Sequence, residues 1–302
     1  MTEYYAPTHV YFGKGAQNEV GKVLKGCGYK KVLIHFGGGS VVRSGLLATV
    51  EASLKENGVE FVELGGVQPN PRLSLVRKGI ELAKAEGVDM IFSVGGGSAL
   101  DSAKAIGYGM CYDGDVWDLY GRHVVPQACM PIGCVLTLSA TGSEMSNSSV
   151  VTNDEVMPNE KVGCNTNLGR PRVAFLNPEL TYTVSKYQTG SGSADIMMHT
   201  IERFFHNGPA FEFTDNSCAN VIKTVIKYTA VALENPNDYE ARANIMWAGS
   251  VSHNGFNNVG YDSNGDWACH RMEHELSAFY DVAHGAGLAA IWGSWARYVA
   301  KT

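Results

Sequence analysis

The 302-residue chain carries little charge: Asp, Glu, Lys and Arg make up 18%, and the formal net charge is −6. With 24 basic against 30 acidic residues, no clustered Lys/Arg surface is expected, which excludes nucleic acid as a partner. No apolar run approaches the roughly 20 residues that a membrane helix requires, so a membrane is not expected as a partner either. The opening stretch "MTEYYAPTHVYFGKG" lacks the basic and apolar regions of a secretory signal. Cysteine is sparse and unpatterned. Cys27, Cys111, Cys129, Cys134, Cys164, Cys218 and Cys269 are odd in number, contain no Cys-x-x-Cys pair, and read as reduced thiols of a cytoplasmic protein.

Hydrophobic residues are abundant at 45%, enough for a substantial core, and the length predicts roughly two domains. In the first half, apolar runs alternate with amphipathic segments. "KKVLIHF" (Lys30 to Phe36), "VEFVEL" (Val59 to Leu64), "DMIFSV" (Asp89 to Val94) and "PIGCVLTL" (Pro131 to Leu138) read as strands. "SGLLATVEASLKENG", "SLVRKGIELAKAEG" and "ALDSAKAIGYG" read as the helices between them, which predicts βαβ units and a mostly parallel sheet. After about Val184 the periodicity becomes helical throughout. The expectation is an α/β domain over 1–184 and an all-α domain over 185–302.

Two glycine loops, "FGGGSVVRSG" and "VGGGSALDSAKAIG", each follow a strand and precede a helix. Glycine lets backbone amides approach a phosphate with no Cβ in the way, and a helix start adds free N–H donors. Neither loop has the G-x-G-x-x-G or Walker A spacing. Either alone is equally compatible with a plain strand-to-helix turn; two on one sheet favour a nucleotide with two anionic ends. In the first loop Gly37 stands where an acid would hold the adenosine ribose and repel a 2′-phosphate. Glycine makes room there, and Ser40 and Arg43 are candidate donors, which favours NADP(H) over NAD(H). The second loop, Gly95, Gly96, Gly97 and Ser98, is the candidate pyrophosphate cradle, with Asp101 and Lys104 one and two turns further on.

The second half holds the most unusual spacing. In "DIMMHTIERFF" Asp195 and His199 share one helix face among apolar neighbours. A carboxylate buried without a partner is costly. "HRMEHELSAFYDVAH" then places His270, His274 and His284 within fifteen residues of a chain with nine histidines. One carboxylate and three imidazoles suit Fe²⁺ or Zn²⁺. Spacing leaves four histidines for three places. His9, His35, His123, His206 and His253 lack such company and read as structural.

Together, "GGGSALDSAKAI", "PIGCVLTLSATGSEMS", "SADIMMHTIERFF" and "DWACHRMEHELSAFYDVAHGAGLA" resemble the iron-containing (group III) alcohol dehydrogenases, in the branch of butanol dehydrogenases and broad aldehyde reductases. The resemblance spans most of the chain and implies a dehydroquinate synthase-like architecture, with 1–184 the dinucleotide-binding domain and 185–302 the metal-binding domain. It implies metal ligands at Asp195, His199, His270 and His284, and a non-ligand histidine near substrate and nicotinamide at His274. It implies cofactor contacts at Gly37, Gly38, Ser40, Gly95 to Ser98, Asp101, Thr137, Leu138 and Lys161, with Asn70 of "QPNP" beside them. Members with "GGGS" in the first loop look NADP-preferring, and a homodimer is expected. The implied reaction interconverts small primary alcohols and aldehydes. Trp267 and Phe279 are candidate walls of an apolar substrate pocket. The family usually continues well past Thr302, so a C-terminally shortened form is expected.

Other readings of the same fold are a lyase resembling dehydroquinate synthase, a glycerol dehydrogenase, or a non-catalytic nucleotide-binding protein. The lyase should show basic residues for a phosphorylated, acidic substrate, and between residues 270 and 284 only Arg271 is basic.

Overall fold

A computed structural model describes residues 2–121 and 124–301; His123 lies outside the described residues. The chain divides into two compact units: Pro7–Thr137 with Asn147–Asn177, and Met1–Ala6, Leu138–Ser146 and Pro178–Thr302. The segment Leu138–Ser146 thus belongs with the helices.

The first unit holds strands β1 (His9–Phe12), β2 (Lys31–Gly37), β3 (Glu60–Val67), β4 (Met90–Gly95), β5 (Ile132–Leu136), β6 (Ser148–Asn153), β7 (Glu160–Asn165) and β8 (Val173–Leu176). Its helices are α1 (Val20–Gly26), α2 (Ser40–Arg43), α3 (Leu46–Glu56), α4 (Leu73–Glu86) and α5 (Gly97–Gly109). Six strands form one parallel sheet in the order β1-β8-β5-β4-β2-β3. The central strands β4, β5 and β8 are buried almost without a break, as expected where helices cover both faces. The edge strands β1 and β3 are more exposed. β6 and β7 make a separate antiparallel hairpin. From β2 the chain moves outward to β3 and then returns to the other side of β2 as β4. The switch point of the sheet therefore lies between β2 and β4, the two strands that end in the glycine loops.

His35 in β2 is fully buried, with its Nδ1 on the Leu64 carbonyl at 2.9 Å and its Nε2 on Ser102 Oγ at 2.8 Å. The carbonyl can only accept, so Nδ1 carries the proton and Nε2 accepts from the serine hydroxyl. Burial pushes the imidazole down from 6.5 to about 4. The unfolded chain therefore binds a proton between those values that the folded chain refuses. Stability from this group is full above pH 6.5 and falls as pH drops towards 4. The loss reaches about 3 kcal/mol at about 1.4 kcal/mol per unit. Urea midpoints at pH 7, 5.5 and 4.5 will show it, and His35→Gln will flatten that part of the slope. A slope unaltered by His35→Gln contradicts the assignment.

The second unit contains α6 (Lys186–Phe204), α7 (Glu212–Glu234), α8 (Tyr239–His253), α9 (Ala268–Tyr280) and α10 (His284–Val299). Caps fix where they start: Ser185 Oγ accepts from the Gln188 amide, and Asp238 Oδ1 from the Ala241 amide. α6 is central. One face puts Ile196 into a core with Val221, Val225, Ala241 and Ile245. Another packs Met198 against Cys269 and Leu288. The third carries Asp195, His199 and Glu202, at i, i+4 and i+7, all buried.

Candidate metal centre and cofactor loops

Asp195 Oδ1 is the focus of three imidazoles. His199 Nδ1 lies 3.5 Å away, His284 Nε2 3.6 Å and His270 Nε2 3.8 Å. A tetrahedral ion with bonds of about 2.1 Å sets ligand atoms roughly 3.4 Å apart, so these spacings match a shared cation slightly relaxed. Asp195, His199 and His270 are at most 7% exposed. Asp195 Oδ1, His199 Nδ1 and His270 Nε2 are each buried without a hydrogen-bond partner. Buried polar atoms are nearly always satisfied. Three orphans facing one point, offered by a carboxylate and imidazoles, fit a divalent cation and little else. The sequence left four histidines for three places; the geometry gathers His199, His270 and His284 around Asp195. His274 stands aside, half-buried, its ring 5.8 Å from that of His284.

Two residues that the sequence reading missed hold this arrangement. Glu202 is fully buried; it accepts from His270 Nδ1 through Oε2 and from the Cys269 amide at 2.7 Å through Oε1. Glu273, also fully buried, accepts from His284 Nδ1, and Ser277 donates to its other oxygen. A carboxylate on Nδ1 fixes the tautomer that leaves Nε2 with a free lone pair. The signal was available for Glu202: it continues the face of Asp195 and His199 by one more turn. Burial pushes His199 well below its usual range, helped by the neighbouring imidazoles of His253 and His270 and by Arg203, so its imidazole is held neutral. Burial also acts to lower His270, but the carboxylates of Asp195 and Glu202 outweigh it and the net shift is upward.

His253 must be corrected. It does have company: its ring lies 4.0 Å from that of His199 and stacks on Trp267 at 5.9 Å. The cause is α8, which brings a residue far along the chain against α6. Trp267 stands at the start of α9 with φ +62, among His199, His253, His270 and the Arg203 guanidinium. Phe279 is mostly exposed and its ring meets that of Tyr280.

Of the cofactor candidates of the first unit, the two glycine loops end β2 and β4 at the switch point of the sheet. Gly37 ends β2; Gly38 has open space where a side chain would stand. Gly39 has φ +133, and Arg43 Nη1 lies 2.9 Å from the place its Cβ would take. The guanidinium is therefore folded over this loop. Gly95 and Gly96 lead from β4 into α5, which starts at Gly97 and Ser98, and the Thr137 amide bonds to the Gly95 carbonyl at 2.9 Å. Asp101 accepts from the Val150 amide at 3.0 Å, and Lys104 Nζ donates to the Ser148 carbonyl at 2.7 Å, so both tie α5 to β6. Asn70 is buried with φ +53, and Lys161 lies on β7 opposite Thr152. Leu138 belongs to the helical unit.

Relatives share this whole plan. A family profile described as iron-containing alcohol dehydrogenase matches residues 7–178, and its C-terminal counterpart matches residues 189–302. NADH-dependent butanol dehydrogenase A of Clostridium acetobutylicum is 46% identical over 98% of this chain and 75% of its own length. The NADPH-dependent aldehyde reductase of Escherichia coli is 32% identical over 95% and 73% respectively. The crystal structure of an NADH-dependent butanol dehydrogenase A from Thermotoga maritima superposes with a TM-score of 0.97 at 42% identity, covering 100% of this chain and 75% of that one. With both halves of the chain matched and its fold reproduced, the protein is an alcohol/aldehyde oxidoreductase that belongs to the iron-containing alcohol dehydrogenases.

Proposed function

We propose that this chain interconverts small primary alcohols and aldehydes of butanol size with NADP(H), using one Fe²⁺ or Zn²⁺ held by Asp195, His199, His270 and His284. The observation that carries the reading is the convergence of three buried, unpartnered ligand atoms on one point. When bound, the cation supplies Lewis-acid polarisation of the substrate oxygen. The chain does the rest. Glu202 and Glu273 keep the Nδ1 protons of His270 and His284, so both rings offer Nε2 to the cation. The loop Gly95–Ser98 gives amides and the start of α5 to the pyrophosphate. The net exchange is alcohol plus NADP⁺ to aldehyde plus NADPH and one proton. His274, half-buried beside His284, takes that proton at an imidazole nitrogen in oxidation and returns it in reduction. Reduction of butanal by NADPH, present with Fe²⁺ or Zn²⁺ and absent after chelation, tests the reaction; equal rates with and without metal overturn it.

For the choice of nucleotide, the lack of a carboxylate at Gly37, the open space at Gly38 and the guanidinium of Arg43 over Gly39 favour a 2′-phosphate. The NADH-dependent relatives at 41–46% identity favour NADH. We read the loop as decisive. The parent will show the higher kcat/KM with NADPH. Gly37→Asp will move the NADPH/NADH ratio towards NADH by about tenfold or more, since one carboxylate against a phosphate is worth at least about 1.4 kcal/mol. A ratio that already favours NADH and does not respond to Gly37→Asp supports the second reading.

A further inference from the structure

His270 and His284 are each aimed by a buried glutamate on Nδ1. His199 is given no such carboxylate among the described residues. Its Nδ1 faces Asp195 at 3.5 Å without a hydrogen bond, and its remaining ring contacts are with His253, Trp267 and His270. The ring of His199 is therefore oriented by packing. The closest of those rings is His253, at 4.0 Å between centroids and 37° between planes, against 4.7 Å for His270 and 6.1 Å for Trp267. His253 is itself fixed: Nδ1 donates to the Thr141 carbonyl at 2.9 Å, and its ring also lies 5.9 Å from that of Trp267, 28° between planes. Gly142, next to Thr141, is pressed so closely on α8 that a Cβ there would stand 2.6 Å from the Gly249 carbonyl and 2.9 Å from His253 Cβ. A histidine held on three sides gives its neighbour one orientation.

We propose that His253 is a positioning residue of the metal centre, whose flat ring clamps His199 in the ligating orientation that Glu202 and Glu273 impose on the other two imidazoles. The proposal rests on the metal reading above. Loss of an outer partner of a metal-ligating histidine weakens affinity by about 10- to 100-fold, and the same range applies here. It also lets the ring turn, which alters the ligand field.

The test uses the intact chain and Co²⁺ as the probe, read by competition with a chelator and by its d–d absorption bands. His253→Phe keeps a flat ring and loses the hydrogen bond; it should bind Co²⁺ within about threefold of the parent with its bands in place. His253→Asn keeps a polar group and loses the ring; it should bind about tenfold more weakly or worse, with displaced bands. If His253→Asn does not fold, His253→Leu replaces it with the same expectation, because it fills volume without a flat face. Parent-like affinity and bands in the ringless variant overturn the proposal, as does equal loss in both variants. Asp195→Asn is the control: if it too binds Co²⁺ like the parent, the metal reading fails, whereas its loss beside an unaffected His253→Asn defeats only the clamp.

Discussion

Asp195→Asn will lower kcat/KM for butanal by about a thousandfold or more. Lewis-acid stabilisation is worth several kcal/mol, and each 1.4 kcal/mol is about a factor of ten. The substitution is nearly isosteric, so the packing of α6 survives. What disappears is the negative charge on the oxygen that all three imidazoles face at 3.5–3.8 Å. The stability effect has the opposite sign in the absence of metal. In chelator, Asp195 Oδ1 is a buried carboxylate oxygen without a hydrogen bond, and a neutral amide is less costly to bury. The variant should therefore unfold at an equal or higher temperature than the parent in chelator, and at a lower one with Zn²⁺ added. Thermal melts in the two buffers, beside the butanal assay, measure both. A variant that keeps a tenth of parental activity, or is equally stabilised by Zn²⁺, contradicts the assignment.

Gly285→Ala will damage fold and site together. Gly285 follows His284 at the start of α10, where that helix meets α6. A Cβ there would stand 1.8 Å from the Ser191 carbonyl oxygen, 2.6 Å from its carbon and 3.3 Å from Asp195 Cβ. The obstruction is backbone, which cannot rotate away, so the helices must separate. Overpacking of this kind costs about 1–3 kcal/mol, or roughly 2–10 °C in Tm for a unit of this size. The separation also carries His284 away from Asp195, so metal affinity should fall by about tenfold or more. Gly190, on the same helix α6, has nothing within 4 Å of its Cβ position. There alanine should be neutral or stabilising by up to about 1 kcal/mol, because it lowers the entropy cost of the helix. Differential scanning of the two variants checks the contrast; equal melting temperatures would show that the contact at Ser191 is not what holds α10.

The strands that sequence makes plain are β2, β4 and β5, which are buried on both faces, and β3, whose "VEFVEL" interleaves apolar and acidic residues as at an edge. β2, β4 and β5 are mostly apolar runs, broken only by residues such as His35 and Ser93, and these three were legible for that reason. β6, β7 and β8 were not. "SSVVTN" and "EKVGCN" are short and mixed, because they form a two-stranded hairpin outside the main sheet, and "VAFL" is too short to separate from a loop by period. The pair Asp195 and His199, proposed as metal ligands, was legible because a charge among apolar neighbours on a helix needs an explanation. Glu202 and Glu273 were overlooked because glutamate on a helix reads as a solvated face, although each repeats the spacing of a ligand. His253 could not have been found: it stands alone in its segment, and only the packing of α8 on α6 brings its ring to His199.

The central claim is that one divalent cation sits where Asp195 Oδ1 and the three imidazoles converge. Anomalous diffraction from crystals grown with Zn²⁺, collected on both sides of the zinc edge, measures it directly. The account predicts a single strong peak about 2.0–2.2 Å from a carboxylate oxygen of Asp195 and from one nitrogen each of His199, His270 and His284. Density with no peak there, or with those four side chains turned apart, would contradict it.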